Sequence, residues 1–586
     1  MLNAIYKLGE SYIEKENIDK MEVLVDNKKI GAVITINLID EGNGVFSYDK
    51  VIQEDFNENN LLKYLYKKGS SRGTDITPSC LITDPEKTFN NKFFKWISNN
   101  QDKNDFLKGV FNCIDSNKDE IFEDLVKIHS DINLKDSNIL LTLTFLSDDV
   151  KKYIGDYEFF RDILKENAEE KYYKKGSKKI KGNGVCFLCD GEKEVLGLVS
   201  SAIGFAFSTP EKEGNVPSNL MENQWKLLPI CVDCALFLES GKKFIEEYMD
   251  FKEFGLSFYA IPNFIFDSEE GFTKLYKVLS RFQSENAKVE DLTLIENKLQ
   301  YIVRNMEDIV EFKFLFYESS NNAFDILAYV ESIIPSWLNN LYETQNTIQG
   351  YDFFQEDNLK YIYGKDHAGD FIDWINKNEK YYKCNKKNWY QKFLRDFISS
   401  FSKKMYIDTV VDVLSQKRLD YDFLLSRFMH KIRRNWRNQE HTAYKTAILK
   451  SLMLFTLFDK LNLLRGNTLN IVDDEFNIEN LLDTPSKRAA FLTGVLTRKL
   501  MNIQYNELKS TPFYNKLYGL SLDEKKIKKI YLAAFNKLRE YGAAFPKLEE
   551  ELSLNFTKAE NNWNLKRDET SYFFLLGHTL YKKIEF

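Results

Sequence analysis

Two short cysteine pairs constrain this chain more than anything else in it: "CFLC" at 186–189 and "CVDC" at 231–234. Each Cys-x-x-Cys delivers two sulfurs from one tight turn. Two such turns in one chain are the usual source of a tetrahedral site built from four thiolates. A thioredoxin-type redox centre needs one pair only, so the second pair favours a metal over redox chemistry. The expected ligands are Cys186, Cys189, Cys231 and Cys234. No histidine lies near them, and four thiolates leave no open position for water, so the Zn2+ they predict is structural. The segment between the pairs is longer than in the commonest zinc ribbons and has room for a small insertion with its own hairpin.

The rest of the chain is organised around that module. After a short N-terminal helix, residues 21–51 show β-rich runs broken by turn signals at "DNKK" and "DEGNG". Further strands are expected at 139–145, at 256–266 and at 311–330, the last as a hairpin turning at "SSNN", with helical stretches such as 272–305 between them. From about residue 390 the strand signals fade. "SKRAAFLTGVLTRKLMNIQY" has helical spacing behind Thr484 as cap and Pro485 as first-turn proline. "SLDEKKIKKIYLAAFNKLREYG" opens with a capping box from Ser521 to Glu524, and its apolar face is Ile527, Tyr531, Ala534 and Leu538. The fold class is therefore an α+β N-terminal body with an embedded four-cysteine zinc module, followed by an all-α helical bundle. The boundaries are 1–180 for the α+β N-terminal region, 181–250 for the zinc-binding module, 251–390 for an α+β continuation and 391–586 for the bundle.

Charge separates the same parts. The whole chain carries a net −7, which argues against a generic nucleic-acid binder. Residues 405–586 hold 29 Lys and Arg against 22 Asp and Glu, a net +7, which leaves −14 for the first 404. An acidic body with a basic C-terminal third suggests that different parts meet different partners. The first residues carry acids and no long apolar run, so no signal peptide is expected, and the apolar stretches are too short or too interrupted to span a bilayer. The protein reads as cytoplasmic.

Three stretches have the chemistry of nucleic-acid contacts. "LYKKGSSRGTDITPS" (65–79) combines Gly69 and Gly73, which permit close backbone approach, with the hydroxyls of Ser70, Ser71 and Thr74 and the charges of Lys67, Lys68 and Arg72. That mixture suits phosphate or base-edge contacts, with Arg72 able to make a bidentate pair; a solvated connector fits the residues equally. A capping box from Thr83 to Glu86 opens the helix that follows. "KYYKKGSKKIKG" (171–182), with Lys174, Lys175, Lys178 and Lys179, is either an arm for a nucleic-acid backbone or a solvated lysine run. In "RFMHKIRRNWR" (427–437), Arg427, Lys431 and Arg434 form one helical stripe flanked by Arg433 and Arg437. Five cations in three turns repel one another unless an anion is near. With no acid interleaved, the stripe favours a backbone contact.

A search for catalytic groups finds little. The five histidines are not spaced as metal pairs, and no His-Asp dipeptide, phosphate-binding G-x-x-x-x-G-K-[ST] or G-x-S-x-G occurs. "DYD" (420–422) is the best paired-carboxylate cluster, and an exposed helix face accounts for it. The expectation is a binding and scaffolding protein rather than an enzyme.

Four blocks occur in a fixed order: "YLYKKGSSRGTDITPSCLITDPEKTFNNK", the knuckles within "GVCFLCDG" and "LLPICVDCALFLESGKKFI", "FLFYESSNNAFDI", and the tail from "AAFLTGVLTRKLMNIQY" through "TPFYNKLYGLSLDEKKIKKIY" to "KLREYG". Together they make most of the chain resemble the large subunit of type I-B CRISPR interference (Cascade) complexes. The resemblance implies a non-catalytic subunit near the 5′ handle of the CRISPR RNA. Such a subunit recognises the protospacer-adjacent motif (PAM) in target double-stranded DNA, aids R-loop formation and recruits a separate helicase-nuclease. The partners implied are CRISPR RNA, target DNA, the other Cascade backbone subunits and that helicase-nuclease, with no membrane. The resemblance also likens the C-terminal bundle to the small subunit of such complexes, which several relatives make from an internal start; Met429 and Met453 are the candidates here. The family carries no short motif for PAM reading, so Arg72 and its loop are placed there on their own chemistry. The alternative is an enzyme: a zinc-containing nuclease, or a catalytic large subunit like that of type III complexes. The latter carries a Gly-Gly-Asp-Asp signature, which is absent here. A free-standing zinc-ribbon regulator suits a shorter chain better.

Overall fold

The computed structural model describes residues 1–26, 29–57, 60–69, 73–134, 137–148, 150–204, 221–253, 256–265, 268–286, 292–306, 308–320, 323–364, 369–379, 383–466 and 478–582. The chain divides into two compact units. Unit 1 comprises Met1–Asp250, Ile261–Lys277 and Ser319–Phe324; unit 2 comprises Phe251–Ala260, Val278–Glu318 and Asp325–Phe586.

In unit 1 the run "AVITINL" forms the middle of β1 (Ile30–Gly42), and every side chain from Ala32 to Leu38 is buried. Burial on both faces marks a central strand. β2 (Val45–Glu54) pairs with β1 antiparallel across a tight turn at Gly42–Gly44, and β4 (Asn138–Ser147) pairs with its other edge in parallel. β3 (Cys80–Ile82) and β5 (Val150–Tyr153) then pair antiparallel with the beginning and end of β4. Helices Asp105–Ser116 and Lys118–Asp131 supply the crossover that the parallel pair demands. Phe106 of the first packs edge-on against Phe46 and Phe145, with ring centroids 4.8 and 5.0 Å away.

The N-terminal helix α1 (Leu2–Glu16) packs on α2 (Val232–Tyr248). At their crossing Gly9 and Gly241 face each other's backbones. A Cβ on Gly9 would lie 1.9 Å from the Phe237 carbonyl oxygen, and one on Gly241 would lie 2.1 Å from that of Ile5. Between the sheet and α2 come two short hairpins: β6 (Lys174–Lys175) with β7 (Lys178–Lys179), then β8 (Lys181–Val185) with β9 (Glu192–Leu196). A hairpin wraps around the first cysteine pair, with β8 before Cys186 and β9 after Cys189; the middle of the segment expected to carry a hairpin of its own, 205–220, lies outside the described residues.

A second sheet has the order β10 (Asp250–Glu253), β11 (Leu256–Phe264), β12 (Val310–Ser320), β13 (Ala323–Ile333). In unit 2 its Phe258 lies 4.8 and 5.1 Å from Phe314 and Phe316. Helices take over from Pro335, ahead of the point near residue 390 where strand signals fade in the sequence. Those used below are Phe371–Asn378, α3 (Trp389–Ile398), α4 (Tyr421–Arg437), α5 (His441–Lys460), α6 (Pro485–Leu508), α7 (Glu524–Glu540), α8 (Pro546–Ala559) and α9 (Arg567–Leu580). After Ile333 the described strands are only the two-residue parallel pair Leu419–Asp420 and Leu464–Arg465. α6 and α9 repeat the glycine crossing of unit 1. Cβ atoms on Gly494 and Gly577 would each lie 1.9 Å from a carbonyl oxygen of the other helix, those of Phe574 and Phe491.

Thr484 caps α6 as expected, accepting from the Lys487 amide at 3.3 Å with Pro485 in the first turn. Two other caps differ from the sequence reading. Asp523, not Ser521, caps α7, accepting from the Lys526 amide at 2.9 Å. Asp84, not Thr83, caps the turn Pro85–Thr88, accepting from Lys87 at 2.8 Å. In both, an aspartate stands immediately before the first helical residue and takes the position the Ser or Thr pattern pointed to. On α7 Ile530 is buried where Tyr531 was expected; Tyr531 is only half-buried and stacks on Phe556 of α8. Among the described residues no helix is long and apolar enough to cross a membrane.

Candidate metal centre and nucleic-acid interface

The four paired cysteines meet in unit 1. Their Sγ atoms all lie within 4.8 Å of one another, and Cys189 and Cys231 are 3.9 Å apart. A tetrahedral ion with metal–sulfur bonds of about 2.3 Å needs sulfur–sulfur edges of about 3.8 Å, so this spacing fits Zn2+, whereas a disulfide needs about 2.05 Å. All seven cysteines are free thiols. Among the described residues this is the one group of three or more His, Cys, Asp or Glu side chains able to hold a metal ion.

Each knuckle comes from a different local structure. The first closes the β8–β9 hairpin: the Cys186 amide donates to Gly191 O at 2.9 Å, and the Asp190 amide returns to Cys186 O at 3.0 Å. The second is the start of α2, where Cys231 is the cap residue and Cys234 lies in the first turn. Helix N-termini favour thiolates, because amide hydrogens and the helix dipole face them. Backbone bonds from Phe187 to Pro229 O and from Leu196 to Ile230 O, both 2.8 Å, lock the knuckles together, and the Cys231 amide donates to Cys186 Sγ at 3.4 Å. The Cys231 thiol is held well below the ordinary thiol range by its contacts with Cys234, Cys186 and Cys189, which outweigh its burial. The interaction with Cys231 pushes Cys234 up, and burial adds to this.

The loop from Lys67 to Ile76 has a fixed base. The Ile76 amide donates to Lys67 O at 3.0 Å, the Gly69 amide donates to Asp75 Oδ1 at 3.0 Å, and Lys67 Nζ pairs with Asp26 at 2.8 Å. Asp75 is buried, with Lys92 3.5 Å away. Gly69 lies so close to the returning chain that a Cβ would sit 2.1 Å from Thr74 O. Lys67 therefore belongs to the loop's foundation, while Lys68 is exposed. Ser71 and Arg72 lie outside the described residues.

Lys174, Lys175, Lys178 and Lys179 form a tight hairpin turning at Gly176 (φ 62°), with all four side chains exposed. Lys174 faces Lys179 and Lys175 faces Lys178, an arrangement of like charges that destabilises a strand pair. Glu170 (2.5 Å from Lys174) and Glu222 (3.9 Å from Lys178) offset part of it.

A charge network that the sequence did not reveal joins these features. At the root of the lysine hairpin, Lys171 pairs with Glu239 of α2 at 2.6 Å, and the Tyr172 hydroxyl bonds to the same carboxylate. Lys243, one turn along α2, donates to Val23 O at 2.7 Å. Burial pushes Lys171 and Lys243 below the ordinary lysine range, with Glu239 pulling back, and Lys67 and Asp26 act on both. The metal helix, the hairpin root and the loop base thus share one buried cluster. In sequence, Glu239 and Lys243 look like an ordinary i, i+4 pair on one helix, which hides their partners.

In unit 2 the basic stripe of α4 divides. Arg433 pairs with Asp568 at 2.7 Å and donates to Leu520 O at 2.8 Å, so the anion that relieves the clustered charge comes from α9. The Arg427 guanidinium lies over Phe401 and Phe423, 4.7 and 5.3 Å from the ring centroids, and Lys431 donates to Asp396 O at 2.9 Å. Arg434 and Arg437 are exposed. Trp436 is core, stacked on Tyr514 at 5.1 Å. In "DYD", Asp420 caps α4 and pairs with Arg465, and Asp422 pairs with Lys566. Met429 and Met453 are buried in the middle of α4 and α5.

No curated protein matches this chain. Three family models match it in order: CRISPR-associated protein TM1802 (cas_TM1802) N-terminal domain over residues 1–166, central domain over 183–333 and C-terminal domain over 391–586. The central match spans both cysteine knuckles, and the three together take up most of the sequence. The chain belongs to the Cas_TM1802 family of CRISPR-associated proteins.

Proposed function

We propose that this protein is the non-catalytic large subunit of a type I-B Cascade complex. It holds a structural Zn2+ at the four cysteines and contacts the 5′ handle of the CRISPR RNA. It recognises the PAM in target duplex DNA with the 67–76 loop, Arg72 reading base edges, and it aids R-loop formation and recruits the helicase-nuclease. Its other partners are the Cascade backbone subunits and a small subunit resembling its own C-terminal bundle. Lys174, Lys175, Lys178, Lys179, Arg434 and Arg437 contribute backbone contacts.

The observation that carries this reading is the anchored loop. Base edges are read by groups held still, while phosphates are held by cations nearby. The pair Lys67–Asp26 and the bond from Gly69 to Asp75 brace the described base of the loop, and Glu239 links its surroundings to the lysine hairpin and the metal helix. Membership in a CRISPR-associated family supports guide RNA and other Cas proteins as partners. The test is to purify the tagged protein from a host expressing its CRISPR array and sequence the RNA that accompanies it. Short RNAs carrying repeat-derived handles are expected; their absence overturns the assignment.

A further inference from the structure

Unit 2 holds a second group of buried charges, apart from the metal centre, in which Lys431 of the stripe turns inward. A cavity of about 630 Å3 lies among helix Phe371–Asn378, α3, α4 and α5. A hollow of about 330 Å3 shares Asp396, Lys431, Asn435 and Glu440 with it, so the two form one chamber. Lys450, 4% exposed, is bonded to Glu379 at 2.6 Å and to Asp396 at 2.5 Å. Lys392, 6% exposed, stands 3.4 Å from Glu379, and Lys431 is the third ammonium.

Among the described residues lining the chamber, four side chains are cationic (Lys392, Lys431, Lys450 and Arg434) and three anionic (Glu379, Asp396 and Glu440). Arg434 and Glu440 are exposed and offset each other, which leaves three ammonium groups against two carboxylates inside. Burial pushes Lys431 below the ordinary lysine range, with Asp396 pulling back. Burial acts on Lys450 in the same direction, but there Asp396 and Glu379 overcome it and keep the ammonium charged. The remaining wall of the larger cavity is Trp374, Phe397, Ala443 and Ala447, with the amides and hydroxyls of Asn378, Asn435, Thr442 and Thr446, and the smaller hollow adds Ser400, Phe401 and His430.

Size and chemistry narrow the occupant. The volume lies within the range of about 300–1,000 Å3 typical of small-molecule sites. A divalent cation is repelled by the excess, and a lone phosphate leaves most of the chamber empty. A flat base suits the aromatic and alanine wall, and a phosphate suits the lysines. We infer that the chamber binds a nucleoside monophosphate, with its phosphate at Lys431 and Lys450 and its base against the Trp374–Phe397 wall. The ligand is a free nucleotide or the 5′-phosphorylated end of a strand, which present the same chemistry. This inference stands or falls separately from the complex proposed above.

Calorimetric titration of the full-length chain with AMP tests it, with adenosine as the ligand lacking phosphate. One AMP per chain is expected, with adenosine at least about tenfold weaker, the loss of one charge-assisted contact. Lys431→Met weakens AMP by a similar factor. Ala443→Leu fills the chamber without removing charge and also weakens it, which keeps the test valid if the lysine variant misfolds. Lys558→Ala, at an exposed position of α8 outside the lining, leaves AMP affinity unchanged. Failure of the wild-type chain to bind millimolar AMP overturns the inference. So does equal binding of adenosine, or an equal loss in Lys558→Ala, which marks surface attraction only. Competition by a 5′-phosphorylated hexanucleotide assigns the chamber to a strand end and its absence to a free nucleotide; either result upholds the site.

Discussion

On α4, Arg433 and Arg437 differ in what their charge does. Arg433 is mostly buried and holds Asp568 and Leu520 O, so Arg433→Ala strands a carboxylate and should cost about 1–3 kcal/mol of stability. Arg434→Ala and Arg437→Ala, both at exposed positions, should leave the melting temperature nearly unchanged. Each should instead reduce the salt dependence of DNA binding by about one unit of slope. An unchanged slope in the double variant removes α4 from the interface. His578 carries a second prediction. It is fully buried, with Nδ1 3.2 Å from the Tyr444 hydroxyl and the Trp436 ring edge-on at 5.1 Å. Burial first, then Arg498, Lys445 and His441, hold it well below the ordinary 6.5. The unfolded chain therefore binds a proton near pH 6.5 that the folded chain refuses. Stability is fully present above that pH and falls as pH drops through it, by up to about 1.4 kcal/mol per pH unit for one such group. His441 is shifted in the same direction and adds to the loss. Denaturant melts between pH 7 and 5 should show a shallower decline for His578→Gln, and parallel curves would sink the assignment.

At the scale of elements, the two reciprocal glycine crossings set the helix spacing. Gly241→Ala or Gly494→Ala drives a methyl into a carbonyl oxygen, Ile5 O or Phe574 O, and the helices must part. Overpacking of this kind costs about 1–3 kcal/mol or more, read directly as a lowered melting temperature; an unchanged melt would mean that the helices separate at no cost. The metal centre is an element-scale clamp as well, since among the described residues the β8–β9 hairpin and the start of α2 are joined by a few backbone bonds and the exposed pair Lys193–Asp233 besides the thiols. Chelation should release one Zn2+ per chain and open residues 181–250 to protease; intact resistance would argue that the thiols alone suffice. Spacing was enough to foretell that the four thiols meet, because Cys-x-x-Cys is a local pattern and two copies suit one ion. The strands at 139–145, 256–266 and 311–330 were legible for the same reason, as runs of β-branched and aromatic residues. Asp26, Glu239 and Lys243 were not: their partners lie far along the chain, and an acid on a helix looks the same whether it faces water or a buried lysine. The α4 stripe misled in the complementary way, since the acid answering Arg433 stands 135 residues later in the sequence.

For the molecule as a whole, the Lys171–Glu239 pair ties the metal helix to the parts proposed to meet DNA. Removing the metal should therefore weaken PAM-containing duplex more than a random duplex, and Arg72→Ala should do the same with the metal in place. If chelation lowers both affinities equally, the metal acts on general folding alone. The Gly9–Gly241 crossing also bears on how the chain is made. α1 is fifteen residues long, and a helix of that length is marginal in water by itself. Its partner α2 begins at residue 232, so at about 5–20 residues per second the first helix waits roughly ten to fifty seconds on the ribosome for the surface it must cover. During that interval the apolar face of Ile5, Leu8 and Ile13 has no permanent place to go. α1 leaves the ribosome well over two hundred residues ahead of the helix that seats it.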